Sequence, residues 1–208
     1  GVIEFSLLYA IISCSLLFVR FVVIYDSVEW KARLLRVKRR LLFFAKSAKL
    51  CKGSSFFTLR FDEQLLLSSV IIRKLVESDK LSDEADTYTI PAKQYRPLRN
   101  ICLMHHHIED GDYDFTEPSS LNVKGNDLCN WIIHSYVYST YSDIHNSISG
   151  FFVSSDYTSN RYLIDISLSD WLSYVCFIIG DSIVSARYER RERNKKTDLY
   201  PVYKQRAR

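Results

Sequence analysis

The chain has 208 residues, a formal net charge of +4, 47% hydrophobic residues and 25% charged residues. This balance excludes a disordered polypeptide and supports one folded domain of ordinary size with appendages. Gly and Pro number only 6 and 4, and the five cysteines (Cys14, Cys51, Cys102, Cys129, Cys176) are scattered without a C-x-x-C pair, which argues against a turn-rich barrel, a disulfide framework and a zinc cluster, and for a reducing compartment.

The segment from Phe5 to Tyr25 is apolar apart from Arg20, and its length suffices to span a bilayer. Basic residues follow it, the arrangement expected on a cytoplasmic side. The alternatives, ranked behind an anchor, are a buried core helix and translated sequence upstream of the true start, since the one methionine is Met104. The expected location is therefore cytoplasmic, with or without an inner-membrane anchor through residues 5–25.

From Glu29 to Lys52 there are nine basic residues and one acid. Trp30, Leu34, Val37, Leu41, Phe44 and Ala48 recur at steps of four and three, so this stretch is expected to be an amphipathic helix with a basic outer face, ending near Gly53. A second helix is expected over about 62–77, with Asp62 as its N-cap. Residues 79–121 read as a polar, acidic region, with ten acids and four bases between Glu77 and Glu117. Only a short edge strand ending near Pro91 stands out in it.

A third helix is expected from Gly125 or Asn126 to Tyr138. Alternation in "GFFVSSDYTSNRYLIDISL" predicts a β-hairpin turning at Thr158, Ser159 and Asn160. A helix follows, with Ser169 or Asp170 as N-cap and Gly180 as C-cap. The tail from Arg187 to Arg208, with nine bases and three acids, reads as a frayed helix and a disordered end. The expected fold is α+β but mainly helical: a three- to four-helix core with a small antiparallel hairpin at 150–168. It divides into the apolar segment 1–27, a single domain 28–186 and the basic tail 187–208.

Asn130 and His134 lie one helical turn apart in "LCNWIIHSY". They form either a site or two polar groups bonded inside a core. A Cys129–His134 nucleophile pair is disfavoured, since five helical residues rotate the side chains about 140° apart. The motif resembles the Arg-x(4–6)-His motif of the HEPN families, in which a polar residue, often Asn, follows the arginine. Asn130 and His134 match; Cys129 stands at the arginine position, which leaves that arginine to come from elsewhere in the chain, for example Arg73. The resemblance implies a helical module, homodimerisation and metal-independent RNA cleavage, with the arginine holding phosphate and the histidine moving protons.

"HHHIEDGDYDF" contains metal-ligand types, but Phe115 and Leu121 occupy the positions where a calcium loop needs Gly and Glu, and an acidic surface loop is expected with no metal and no cofactor. Arg36, Arg39, Arg40, Arg190, Arg191, Lys195 and Lys196 are the candidate nucleic-acid contacts, with Tyr188, Tyr200 and Tyr203 interleaved for stacking. The same charges suit an anionic membrane surface. The first functional expectation is a HEPN-like module acting by RNA or protein association; the alternatives are a metal-independent ribonuclease toxin or defence effector, and a membrane-anchored interaction protein.

Overall fold

The computed structural model describes residues 26–47, 55–101, 108–193 and 196–207. Helix α1 (Ser27–Ser47) forms where the apolar spacing demands it: Leu34, Val37, Leu41 and Ala45 are buried on one side. Helix α2 (Ser55–Glu77) buries Phe61, Leu65, Ile72 and Leu75. It begins nearly two turns before Asp62, so Asp62 is no N-cap. Its carboxylate instead accepts a 2.7 Å hydrogen bond from the Tyr138 hydroxyl. The single-turn α3 (Asp83–Thr87) is capped by the Ser82 side chain, which accepts from the Ala85 amide.

A five-stranded antiparallel sheet overturns the mainly helical bundle expected from the sequence. Its strands are β1 (Thr89–Pro97), β2 (Tyr113–Lys124), β3 (Ser135–Ser142), β4 (Ile148–Ser155) and β5 (Leu163–Ser167), in the order β2-β1-β5-β4-β3. Helix α4 (Gly125–Ile133) links β2 to β3, and α5 (Leu168–Gly180) follows β5. Much of the region read as loop is therefore sheet. β1 tolerates Pro91 because β5 pairs only with Lys93–Tyr95. At Pro91 the strand has a neighbour on one side alone, where a missing N–H costs nothing. Pro118 lies in β2, at the edge of the sheet.

Helix α4 ends at Ile133 rather than at Tyr138. Beyond His134 the residues Tyr136, Val137, Tyr138, Thr140 and Tyr141 suit a pleated surface, and they pair with β4 from Ser135↔Ser155 onward. β4 and β5 are antiparallel neighbours on either side of the turn that contains Thr158–Asn160. Helix α5 is capped by Ser167, whose hydroxyl accepts from the Asp170 amide, and its C-cap is Asp181.

The helices cover one face of the sheet. Ile90, Val123, Phe151, Val153, Ile164 and Ile166 meet Leu34, Leu128, Trp171, Tyr174 and Ile178 in one core. Phe151 and Trp171 pack edge-to-face with centroids 6.4 Å apart, a geometry worth about 1 kcal/mol beyond area burial. Gly125 permits the packing of Tyr174, since a Cβ there would lie 2.2 Å from the ring. On the other face, Tyr95, Ile101, Tyr113, Val137 and Leu163 form a smaller cluster, which leaves part of that face open.

The tail is neither helical nor frayed where it is described. β6 (Ile183–Arg193) and β7 (Lys196–Arg206) form a two-stranded antiparallel sheet. Its base is anchored to the body. Lys204, 4% exposed, places Nζ 3.1 Å from Asp86 and 3.3 Å from Asp79, while its amide donates to Asp83 Oδ2 at 2.9 Å. Arg206 lies 3.6 Å from the buried Asp181 carboxylate and over the Phe177 ring, and Lys31 donates its Nζ to the Asp181 carbonyl.

No helix among the described residues is long and apolar enough to cross a membrane. The expected span over 5–25 lies outside the described residues, as do the expected cap at Gly53 and the histidines His105, His106 and His107.

Candidate functional site

Asn130 sits in the last turn of α4, and His134 is the residue that ends it, with φ −107° and ψ 32°. The His134 amide donates to the Asn130 carbonyl at 2.9 Å, so the backbones of the pair are joined across the helix end. The Asn130 Oδ1 is buried without a hydrogen-bond partner among the described residues. His134 is exposed and turns to α2 instead: its Nε2 lies 3.3 Å from Nη1 of Arg73. A guanidinium has no acceptor, so this contact is a hydrogen bond when Nε2 accepts and the ring proton sits on Nδ1.

Arg73 thus stands beside the histidine although 61 residues separate them in sequence. Its Nε also donates to Glu77 Oε1 at 2.7 Å, and Lys74 donates to Glu77 Oε2 at 2.6 Å. Hydrogen bonds from Lys74 and then Arg73 hold the Glu77 carboxyl below the ordinary range. Cys129 is fully buried. Burial pushes its thiol well up, with the charge of Arg73 opposing, so no thiolate is available at neutral pH.

The basic candidates divide. On α1, Arg36, Arg39 and Arg40 are exposed. Arg36 and Arg40 join Arg33, Val37 and Leu67 around a groove of about 300 Å³ between α1 and α2. Arg33 lies 5.7 Å from the Trp30 ring centroid. None of these arginines has an ion-pair partner among the described residues. Arg39 does not line the groove, and Arg33, left out of the sequence-derived set, does; its spacing of three and seven from Arg36 and Arg40 was the available signal. On β6, Arg190 pairs across Leu199 and Arg191 across Asp198, while Lys196 opens β7 opposite Arg193. Lys195 lies outside the described residues. The structure therefore places the two basic sets on separate elements.

The acids of the "EDGDYD" stretch serve the fold. Asp112, 1% exposed, takes Arg99 Nε on one oxygen and the Glu109 amide on the other. Asp114 accepts from the Thr116 amide and hydroxyl. Compared with known proteins, the chain matches no family model, no curated protein and no solved structure.

Proposed function

We propose that the protein acts by binding RNA through the arginine groove of α1. The observation that carries this reading is the set Arg33, Arg36 and Arg40, which line one groove with no carboxylate paired to them among the described residues. Guanidinium groups held on one helix face, next to the apolar stems of Val37 and Leu67, suit a run of phosphates, and the fork geometry of arginine fits phosphate oxygens. Such binding weakens steeply with salt through counterion release. The test is fluorescence anisotropy of a labelled single-stranded RNA over a salt series. Arg36→Ala and Arg40→Ala should each weaken binding and flatten the salt slope by about one unit. No binding, or binding that ignores salt, defeats the proposal.

A second reading is favoured by one specific contact, the 3.3 Å approach of Arg73 to His134. In it the protein is a metal-independent ribonuclease: Arg73 holds the scissile phosphate, His134 moves the proton, and Asn130 supports the histidine through the helix end. The resemblance to HEPN families supports this reading only through Asn130 and His134, with Arg73 in the place of the arginine that Cys129 replaces. Cleavage of RNA in the presence of a chelator, lost in His134→Ala and in Arg73→Ala, is the expected result. Wild-type protein that cleaves nothing, or a His134→Ala variant that cleaves normally, removes it. The dimer implied by the same resemblance is read by light scattering of the wild-type protein.

A further inference from the structure

The open face of the five-stranded sheet contains a second cleft, away from both basic surfaces. It holds about 370 Å³, within the range of small-molecule sites. Strand register explains its content. Lys93 of β1 is the cross-strand neighbour of Asp165 on β5 and of Ser120 on β2, so all three project from the same face. Asn122 of β2 and Tyr141 of β3 line the same cleft, and Asp170 in the first turn of α5 closes one end.

Its Asp165 is held by two hydroxyls. The Tyr141 hydroxyl donates to Asp165 Oδ1 at 2.7 Å, and the Tyr95 hydroxyl donates to Oδ2 at 3.3 Å. Tyr141 reaches Asp165 only because residue 150 is glycine: a Cβ there would lie 2.1 Å from the Tyr141 oxygen. Behind Tyr141, the Phe152 ring packs at 5.0 Å between centroids and continues to Tyr95 and Phe115. The arrangement is therefore built by side chains from three strands and a missing side chain on a fourth.

The hydrogen-bond inventory of the cleft selects a ligand class. Tyr141, which lines the cleft, spends its proton on Asp165, so its oxygen and the carboxylates present acceptors. Lys93 and the Asn122 amide present donors. One lysine against two carboxylates leaves no excess of positive charge for an anion, and the lysine opposes an organic cation. Hydroxyl groups both donate and accept, and they suit a surface where donors and acceptors lie close together beside an aromatic ring. We propose that this cleft binds a neutral polyhydroxylated ligand of monosaccharide size, with paired hydroxyls on Asp165, further hydroxyl oxygens on Lys93 and Asn122, and ring C–H groups against Tyr141.

The full chain is titrated with D-glucose, D-galactose, D-mannose and D-ribose and followed by saturation-transfer and amide chemical-shift NMR, with putrescine and inorganic phosphate in parallel. The expected result is that at least one sugar saturates and shifts amides of Lys93, Asn122 and Asp165, while putrescine and phosphate do not. Asp165→Asn and Tyr141→Phe should each weaken that sugar roughly tenfold. Asn122→Ala, on an exposed position of β2, should weaken it several-fold with an unchanged thermal transition, which keeps the test open if an Asp165 variant fails to fold. Absence of saturation by every sugar, equal binding by the wild type and Asn122→Ala, or occupation of the cleft by putrescine or phosphate in place of sugar overturns the proposal.

Discussion

The two faces of the five-stranded sheet use the same pair of residues in opposite ways. On the helix-covered face, Tyr138 donates to Asp62 at 2.7 Å; on the open face, three residues further along β3, Tyr141 donates to Asp165 at the same 2.7 Å. Asp62 reaches its partner from α2, a helix that packs mainly on α1 and α4. Burial pushes its carboxyl above the ordinary range, and the Tyr138 bond opposes that shift. Asp165 shares a strand with its cleft and receives a second hydroxyl, from Tyr95. An identical donor and acceptor therefore border an apolar pocket beside Leu65, Leu66 and Ile132 in one place and furnish a polar cleft in the other. What surrounds the pair decides its role, and the pair alone does not.

The contrast is sharpest at two consecutive residues of β4. Phe151 is fully buried among the helices, whereas Phe152 is half-buried on the open face. Phe151→Ala should cost about 3–5 kcal/mol in denaturant unfolding, and Phe152→Ala less than about half of that. Equal losses would show that the open face is as tightly covered as the other. Gly150→Ala is the next largest. The new Cβ would meet the Tyr141 ring and the Ile166 carbonyl oxygen at 2.6 Å, and the carbonyl is backbone that cannot swing aside, so a loss of about 1–3 kcal/mol is expected. A Tyr141→Ala change in the same chain should recover only part of it.

Tyr141→Phe removes one hydrogen bond at a half-buried site and should cost about 1 kcal/mol, by the same measurement. Asp62→Asn carries the smallest effect and the opposite sign. The folded Asp62 carboxyl holds its proton more tightly than the unfolded one, so its ionisation lowers native stability above the folded pKa. That penalty disappears as the pH falls through the folded pKa to below the unfolded one. Asp62→Asn should therefore be more stable than the wild type at neutral pH, by under about 1 kcal/mol after solvent screening, and the difference should vanish once the pH falls below the unfolded carboxyl's pKa. A variant less stable than the wild type at neutral pH would mean that the Tyr138 bond outweighs burial.

How much of this was legible in the sequence depended on whether one period dominated. Leu34, Val37 and Leu41 announce α1 because nothing competes with their spacing. Ile164 and Ile166 announce β5 through strict alternation with Leu163, Asp165 and Ser167. β1 was legible only as a short strand near Pro91, and β2 stayed hidden because, at the sheet edge, it is exposed along most of its length, so it carries few apolar markers. Pro91, read as the end of an edge strand, lies inside β1, and Pro118 lies inside β2, each at a position free of a second partner. The helix holding Asn130 was legible, but its end was not. His134 is where helical spacing stops, and the tyrosines beyond it are bound by β4, a long-range pairing that local pattern does not contain. The approach of Arg73 to His134 is equally tertiary. In the tail, Arg and Glu at close intervals suit a helix face and a strand pair alike, and the choice is made by cross-strand partners such as Arg187 and Tyr203.

The seating of Lys204 among Asp79, Asp83 and Asp86 also bears on the order in which the chain folds. Three carboxylates gathered around one short helix repel one another until a cation arrives, and that cation is made more than a hundred residues later. During synthesis the body must pass through a stage in which this corner is strained and unclosed. Long-range closure of this kind is slow. β7 therefore acts as a latch for this corner, which closes only once Lys204 has been made.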